Sequence, residues 1–334
     1  MDLSVSYLGL KLRNPFLVGA SPLVYELDTV QELEAGGAAG IVMHSLFEEQ
    51  IVRENVHGLP HFEDNKGIFK ESGQFPLTPA NYLEHLSLLK KHLRIPVIAS
   101  LNGIRLGTWI EYARRMEEAG ADGIELNLYL IPRSDTAPSS EVERKLLNIV
   151  KAVKEHLSIP LAVKISPFFS GLPRFVKRLE ESGAHAVVLF NSFFQPDIDI
   201  ENACYKASFK ELESNALLLR TRWIATLHGR TGLDLSLNGG VKSPEDAVKG
   251  LMAGADSIQL VSFLLNNGPR FMRYFIDAFE EWMEGHGYET ISQMQGILSF
   301  SQSSNTEAGA RASYLRMLQS WRPPGLKDKR GSKL

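Results

Sequence analysis

One junction recurs along this chain: a helix-like segment ends in Ala-Gly or Ser-Gly, an alanine follows, and an apolar run begins. It occurs at EAGADGIEL, ESGAHAVVL and MAGADSIQL. Glycine supplies the left-handed residue that stops a helix, and the small residues let that helix pack closely on the strand it feeds. Repetition of the unit points to helices alternating with parallel strands. NPFLVGAS, AGIVMHS, IPVIASLNG, DGIELNLYL, IPLAVKISP, AHAVVLFNS, LDLSLNGG and DSIQLVSFLL are eight strand candidates. Each is rich in Val, Ile or Leu, as strands covered on both faces must be. The segments between them, such as TVQELEAGGAAG, SEVERKLLNIVKAVKEHL and LPRFVKRLEESG, carry helical spacing. Eight such strands close into a (β/α)8 TIM barrel. The structural alternative, a doubly wound open sheet, wants a Gly-rich phosphate loop after the first strand, where this chain has GASPLVY.

Two stretches break the rhythm. Residues from about Phe47 to Pro79 follow the second strand with no clear helix, and Phe193 to about Lys210 follow the sixth. Long insertions of this kind belong at the catalytic rim of a barrel, so both are candidate lids or substrate walls. No linker interrupts residues 1–334, which read as one domain with a C-terminal extension from about 288 to 334.

Composition removes several function classes. A net charge of -3 gives no basic field for nucleic acid, and the cluster Lys327, Lys329, Arg330 and Lys333 reads as a solvated tail. No apolar run approaches the ~20 residues that span a bilayer. The N-terminus, MDLSVSYLGLKLRNP, lacks the basic-then-apolar order of a secretory signal, so the expected location is cytoplasmic. The single cysteine, Cys204, excludes an intrachain disulfide and a Cys-based metal cluster.

In a barrel, chemistry belongs to the C-terminal ends of the strands. Those positions hold Ala20-Ser21, His44-Ser45, Ser100 to Asn102, Asn127, Lys164 to Ser166, Asn191-Ser192, Asn238-Gly239-Gly240 and Ser262. Any one of them could be an ordinary rim residue bonded to a loop. Together they form a polar ring on otherwise apolar strands. Asn238-Gly239-Gly240 closes the seventh strand ahead of a helix starting SPED, and Ser262 ends the eighth. Glycines there let backbone N–H groups approach a phosphate, although Gly-Gly pairs also make ordinary turns. His57, His61, Glu63 and Asp64 offer metal-ligating types without helical spacing and read better as a surface loop. His228, at a helix end, reads as a complement to the helix dipole.

NPFLVGAS, ELNL, AVKISP, FNS and NGGV, in this order and at these strand ends, resemble the dihydroorotate dehydrogenase family, FMN-binding barrels that oxidise a ring C–C bond. The resemblance runs from VSYLGLKLRNPFLVGAS to the helix after the eighth strand. It implies FMN contacts from Ala20, Ser21, His44, Asn102, Asn127, Lys164, Asn191, Ser192, Gly239, Gly240 and Ser262, and substrate contacts from Asn127, Asn191 and Ser192. Lys164 suits an anionic reduced flavin, and the Asn pair suits a planar heterocycle. A homodimer and a small-molecule substrate are implied as well.

Three features depart from the family pattern. Where a Cys or Ser base follows ELNL, this chain has Tyr129, Leu130, Ile131 and Pro132, and Leu130 cannot take a proton. His44 replaces a lysine at the end of the second strand. GIFKESGQF, at residues 67–75, stands where an Asn-Ser-Met-Gly-Leu substrate loop is expected. The candidate catalytic residues are therefore His44, Lys164, Tyr129 and Ser134, with His44 favoured as base because an ordinary imidazole titrates near ~6.5; the alternatives are a His44 that packs on or hydrogen-bonds the flavin and a Tyr129 that serves as a wall or hydrogen-bond donor. The leading expectation is an FMN-dependent oxidoreductase of CH–CH groups acting on a pyrimidine-like or other small cyclic substrate, with dihydroorotate itself disfavoured. Reoxidation would need a small molecule or a redox partner protein. Two alternatives stay open: a non-catalytic FMN-binding subunit or electron relay, and a flavin-free barrel that isomerises or cleaves a sugar phosphate.

Overall fold

The computed structural model describes residues 1–55, 77–130, 137–192, 197–206, 214–301 and 306–320. The chain opens with an antiparallel hairpin, β1 (Val5–Tyr7) and β2 (Leu10–Leu12). Eight parallel strands then close a barrel: β3 (Phe16–Val18), β4 (Gly40–Phe47), β5 (Val97–Asn102), β6 (Gly123–Asn127), β7 (Leu161–Ile165), β8 (Ala186–Leu189), β11 (Asp234–Asn238) and β12 (Ser257–Leu260). The short antiparallel pair β9 (Asp197–Asp199) and β10 (Cys204–Lys206) lies in the insertion after β8.

The expected (β/α)8 barrel is thus the observed fold, and its helices lie where the sequence pattern puts them. They are α1 (Leu27–Ala35), α3 (Pro79–His92), α4 (Glu111–Glu118), α5 (Ser139–Lys154), α6 (Leu172–Glu181), α7 (Ser214–Leu227) and α8 (Pro244–Ala253), then α9 (Ser262–Asn267) and α10 (Phe271–Gly285). The repeated junction works as its residues imply, with Gly120, Gly183 and Gly254 at φ of 101°, 94° and 113°. α10 seals the first strand from outside: Phe16 meets Phe275 and Phe279 edge-on at 5.2 and 4.9 Å.

Two details differ from the sequence reading. The stretch after β4 begins with a helix, α2 (Glu48–Asn55). Its polar sequence, EEQIVREN, hides an anchor: buried Glu48 accepts the backbone N–H of Ile104 at 2.9 Å, and Ile51 is buried. The eighth strand ends at Leu260, so Ser262 opens α9 rather than ending β12.

The interior explains how one end becomes reactive. Side chains alternate between the two faces of a strand, so residues two apart share the barrel interior. At the N-terminal end Leu17, Val42, Ile98, Ala162, Ala186 and Val188 make an apolar floor, plugged by Tyr7, Leu8 and Leu12 of the hairpin. Leu8, at φ 55°, is held by its N–H on Asp234 Oδ2 at 2.7 Å. Higher up the interior turns polar through Ser100, Glu125, Lys164, Ser236, Ser257 and Gln259, all buried.

The C-terminal extension starts as part of this structure. Ile291 and Met294 are buried, and Gln295 donates to Asp256 Oδ1 at 2.7 Å. Further on lies the exposed helix α11 (Thr306–Ser320). His228 does more than complement a dipole: its ring fills the space beside Gly254 and Gly296, where an added Cβ would lie 2.3 Å away in each case.

Burial raises Asp256 to about 6, against backbone and Gln295 hydrogen bonds that pull it down. The native state therefore holds this proton more tightly than the unfolded chain does. That contribution to stability is complete below the ordinary carboxylate range and is lost as pH rises through about 6. Asp256→Asn cannot titrate. Relative to wild type, it is expected to gain up to about 3 kcal/mol between pH 4 and pH 7, read from urea unfolding at both values. An unchanged difference at the two pH values would exclude Asp256 as the group responsible.

Candidate functional site

At the C-terminal mouth, the polar layer opens into a cleft of about 330 Å³. Nine of the residues that the resemblance implies as FMN contacts line it: Ala20, Ser21, His44, Asn127, Lys164, Asn191, Ser192, Gly239 and Ser262. Tyr25, Ser45, Phe47, Gln50 and Asn238 also contribute. A larger depression of about 520 Å³ lies at the opposite end, beside Lys11, Arg13, Glu34 and Arg94. Two of its charged groups serve the fold: Arg13 donates to the carbonyls of Glu34 and Ala38, and Glu34 accepts the N–H groups of Arg94 and Ile95. The mouth, where strand ends converge, is the candidate site.

The floor of the cleft is a buried charge network. Lys164 Nζ lies 3.0 Å from Glu125 Oε1 and 3.4 Å from Gln259 Oε1, and Gln259 Nε2 donates to Glu125 Oε2 at 2.6 Å. Lys164 is 5% exposed and Glu125 1%. Each charge is therefore compensated within the barrel, and the ammonium is held at the cleft by a carboxylate below it. Beside it, Asn191 donates from Nδ2 to Asn127 Oδ1, so each amide orients the other.

On the other wall, His44 packs edge-on between Tyr25 and Tyr82, with ring centroids 4.5 and 5.0 Å away. Burial, helped by the neighbouring His85, pulls its imidazole down to about 4. The expectation of an imidazole titrating near neutrality is corrected accordingly: His44 is neutral at pH 7 and a weak base. Its buried Nδ1 has no hydrogen-bond partner, and neither does the buried Oγ of Ser21. Unpaired buried polar atoms are costly, and a ligand presenting polar edges would relieve both.

The seventh strand ends in a left-handed turn, Gly239 at φ 91° and Gly240 at φ 83°. Asn238 braces it by donating from Nδ2 to the Phe190 carbonyl at 2.8 Å. Gly240 does not line the cleft: a Cβ there would sit 2.8 Å from the backbone nitrogen of Leu217, so its backbone rests directly on α7.

The remaining candidates scatter. Asn102 is buried at the end of β5, in register with Asn127, and lies off the cleft lining. Tyr129 is half-buried and also off it. Leu130 packs, half-buried, against the apolar core. Ser134, His57, His61, Glu63, Asp64 and residues 67–75 lie outside the described residues. The sequence reading missed Glu125, Gln259 and Gln50. The first two had a signal: Glu125-Asn127, Lys164-Ser166, Ser236-Asn238 and Ser257-Gln259 are polar pairs spaced by two on apolar strands, which puts both members inside.

A family model described as dihydroorotate dehydrogenase matches residues 2–283. A catalytic subunit of dihydroorotate dehydrogenase B (NAD(+)) from Thermoplasma acidophilum is 25% identical over 299 residues, covering 89% of this chain and 98% of that protein. The subunit PreA of the NAD-dependent dihydropyrimidine dehydrogenase from Escherichia coli is 24% identical over 317 residues, covering 89% of this chain and 76% of that protein. A further dihydroorotate dehydrogenase B catalytic subunit, from Petrotoga mobilis, is 23% identical over 305 residues, 89% of this chain and 100% of its own length.

Proposed function

The chain belongs to the dihydroorotate dehydrogenase family and is an oxidoreductase acting on CH–CH groups, and on that premise we propose that it holds FMN at the mouth of the barrel and acts on a small, uncharged, pyrimidine-like ring. The sugar-phosphate alternative is set aside by the family. The observation that carries the FMN reading is the pairing of two orphaned buried atoms, Ser21 Oγ and His44 Nδ1, with a compensated lysine in one cleft.

The residues fit the group. Ala20, Ser21, His44, Asn127, Asn191 and Ser192 offer the small surfaces and hydrogen-bonding edges that a planar ring needs. Gly239 and Ser262 would hold the phosphate, Gly240 would shape the turn from behind, and Asn102 would buttress the Asn127 side. Bound there, FMN supplies the hydride acceptor. Lys164 counters the negative charge that reduction creates, and Glu125 holds its ammonium in place.

Proton handling must differ from the family's pattern. Leu130 has no proton to exchange and packs on the core. Neutral His44 orients a ring amide through its free nitrogen. The hydroxyls of Tyr129 and Ser134 are the candidates for relaying the substrate proton to solvent, each releasing its own proton as it accepts the substrate's. Among the described residues lining the cleft, the one cation is Lys164, already engaged by Glu125. Among these described residues a carboxylate-bearing substrate such as dihydroorotate would meet no second cation, which supports a neutral reduced pyrimidine. The names of two relatives, a catalytic subunit and subunit PreA, support a redox partner protein that carries electrons onward, and a homodimer and a cytoplasmic site of action complete the reading. No helix among the described residues is long and apolar enough to cross a membrane.

A second reading, a non-catalytic FMN-binding subunit, draws on Leu130. Anaerobic addition of dihydrouracil to the flavin-loaded protein separates the two. Bleaching of the flavin by dihydrouracil, at least about tenfold faster than by dihydroorotate, is expected. Bleaching by neither supports the non-catalytic subunit, and bleaching by dihydroorotate alone contradicts the uncharged substrate.

A further inference from the structure

Arg220, on α7, is 4% exposed, and no carboxylate among the described residues forms an ion pair with it. Its guanidinium donates from Nε to the carbonyl of Asn238 and from Nη1 to the carbonyl of Ala216 at 2.8 Å. Burial pulls it down to about 10, so it stays charged at neutral pH. Two carbonyl dipoles are poor compensation for a buried cation, which is costly without a counter-charge.

Its location says where the counter-charge belongs. Asn238 is the last residue of β11 and leads directly into the Gly239-Gly240 turn. Leu217, one helical turn before Arg220, is the residue on which Gly240 rests. The first turns of α7 therefore lie under the glycine turn, and Arg220 is tied to that turn through the Asn238 carbonyl. On the face of the turn toward the cleft lie Gly239 and Ser262.

We propose that Arg220 is the buried counter-charge and positioning residue for a phosphate monoester dianion bound at the Gly239-Gly240 turn. It acts without contact, through its field in a medium of low dielectric and by fixing the Asn238 carbonyl. The inference rests on the FMN reading above, which supplies the phosphate. Arginine suits the place because its planar guanidinium reaches both carbonyls at once, where a lysine presents a single ammonium.

The test compares FMN with riboflavin, which has the same ring and ribityl chain but no phosphate. Both are titrated into flavin-free wild type, Arg220→Met and Arg220→Lys by fluorescence quenching. Wild type should prefer FMN. Arg220→Met should lower FMN affinity about tenfold or more, equivalent to at least ~1.4 kcal/mol, while riboflavin affinity changes less than about threefold. Arg220→Lys should keep most of the preference.

Equal loss of both flavins in the methionine variant means that Arg220 only holds the helix, and overturns the proposal. So does an unchanged preference. If the methionine variant does not fold, the lysine variant decides: it keeps the charge but cannot make both carbonyl bonds, so a lost preference overturns the counter-charge. Wild type that binds FMN no better than riboflavin sinks this inference alone. Wild type that binds neither flavin sinks the FMN reading itself, and this inference with it.

Discussion

Lys164→Ala is expected to lower the unfolding free energy by about 3–5 kcal/mol and to abolish flavin retention, whereas Cys204→Ala leaves both unchanged. The size follows from what is left behind. Glu125, 1% exposed, would keep only the Gln259 amide at 2.6 Å and lose the ammonium at 3.0 Å. A buried carboxylate in that state must either remain charged at high cost or take up a proton. Cys204 is exposed on the β9–β10 hairpin and supports no such network. The double variant Lys164→Met/Glu125→Gln separates stability from flavin retention. It removes both charges, so most of the lost stability should return, while flavin retention stays lost because no cation among the described residues then lines the cleft. Urea unfolding and the visible spectrum after gel filtration read the two effects. Equal, negligible effects of Lys164→Ala and Cys204→Ala would overturn the map of the site.

Gly240→Ala is expected to cost about 2–4 kcal/mol and to weaken FMN binding with it. Two penalties coincide at this position. Its φ of 83° is one that residues with a Cβ rarely adopt, and the new methyl would meet the backbone nitrogen of Leu217 at 2.8 Å. The obstacle is main chain of α7, so relief requires moving either the helix or the turn that would hold the phosphate. Gly171→Ala is the control: nothing lies within 4 Å of its added Cβ, and stability should stay within about 0.5 kcal/mol. A Gly240→Ala protein as stable as the control would mean that this turn is soft, and the rigid phosphate cradle would fall.

The barrel was legible because its signals are local and repeated. Gly120, Gly183 and Gly254 each end a helix in a left-handed residue just before a strand, and a small residue, Gly and Ala announce it every time. The strand ends that line the cleft were legible for a related reason: a polar residue closing an apolar run has few structural excuses. What escaped depended on contacts between distant segments. Glu125 and Gln259 are 134 residues apart and meet only inside the closed barrel. The depressed titration of His44 comes from Tyr25, Tyr82 and His85 closing around it, which no local pattern records. α2 was overlooked because its buried anchor, Glu48, is a residue type that normally marks a solvated face. Gly240 reads like its neighbour Gly239, yet one faces the cleft and the other rests on α7.

The most direct measurement is a visible spectrum of purified protein, repeated after stripping and adding back FMN at one equivalent. A flavin spectrum that returns at one FMN per chain in wild type, and does not return in Lys164→Ala, is the result expected if FMN sits at the barrel mouth over the Lys164–Glu125 pair. A colourless protein that leaves the fluorescence of added FMN unquenched would contradict it.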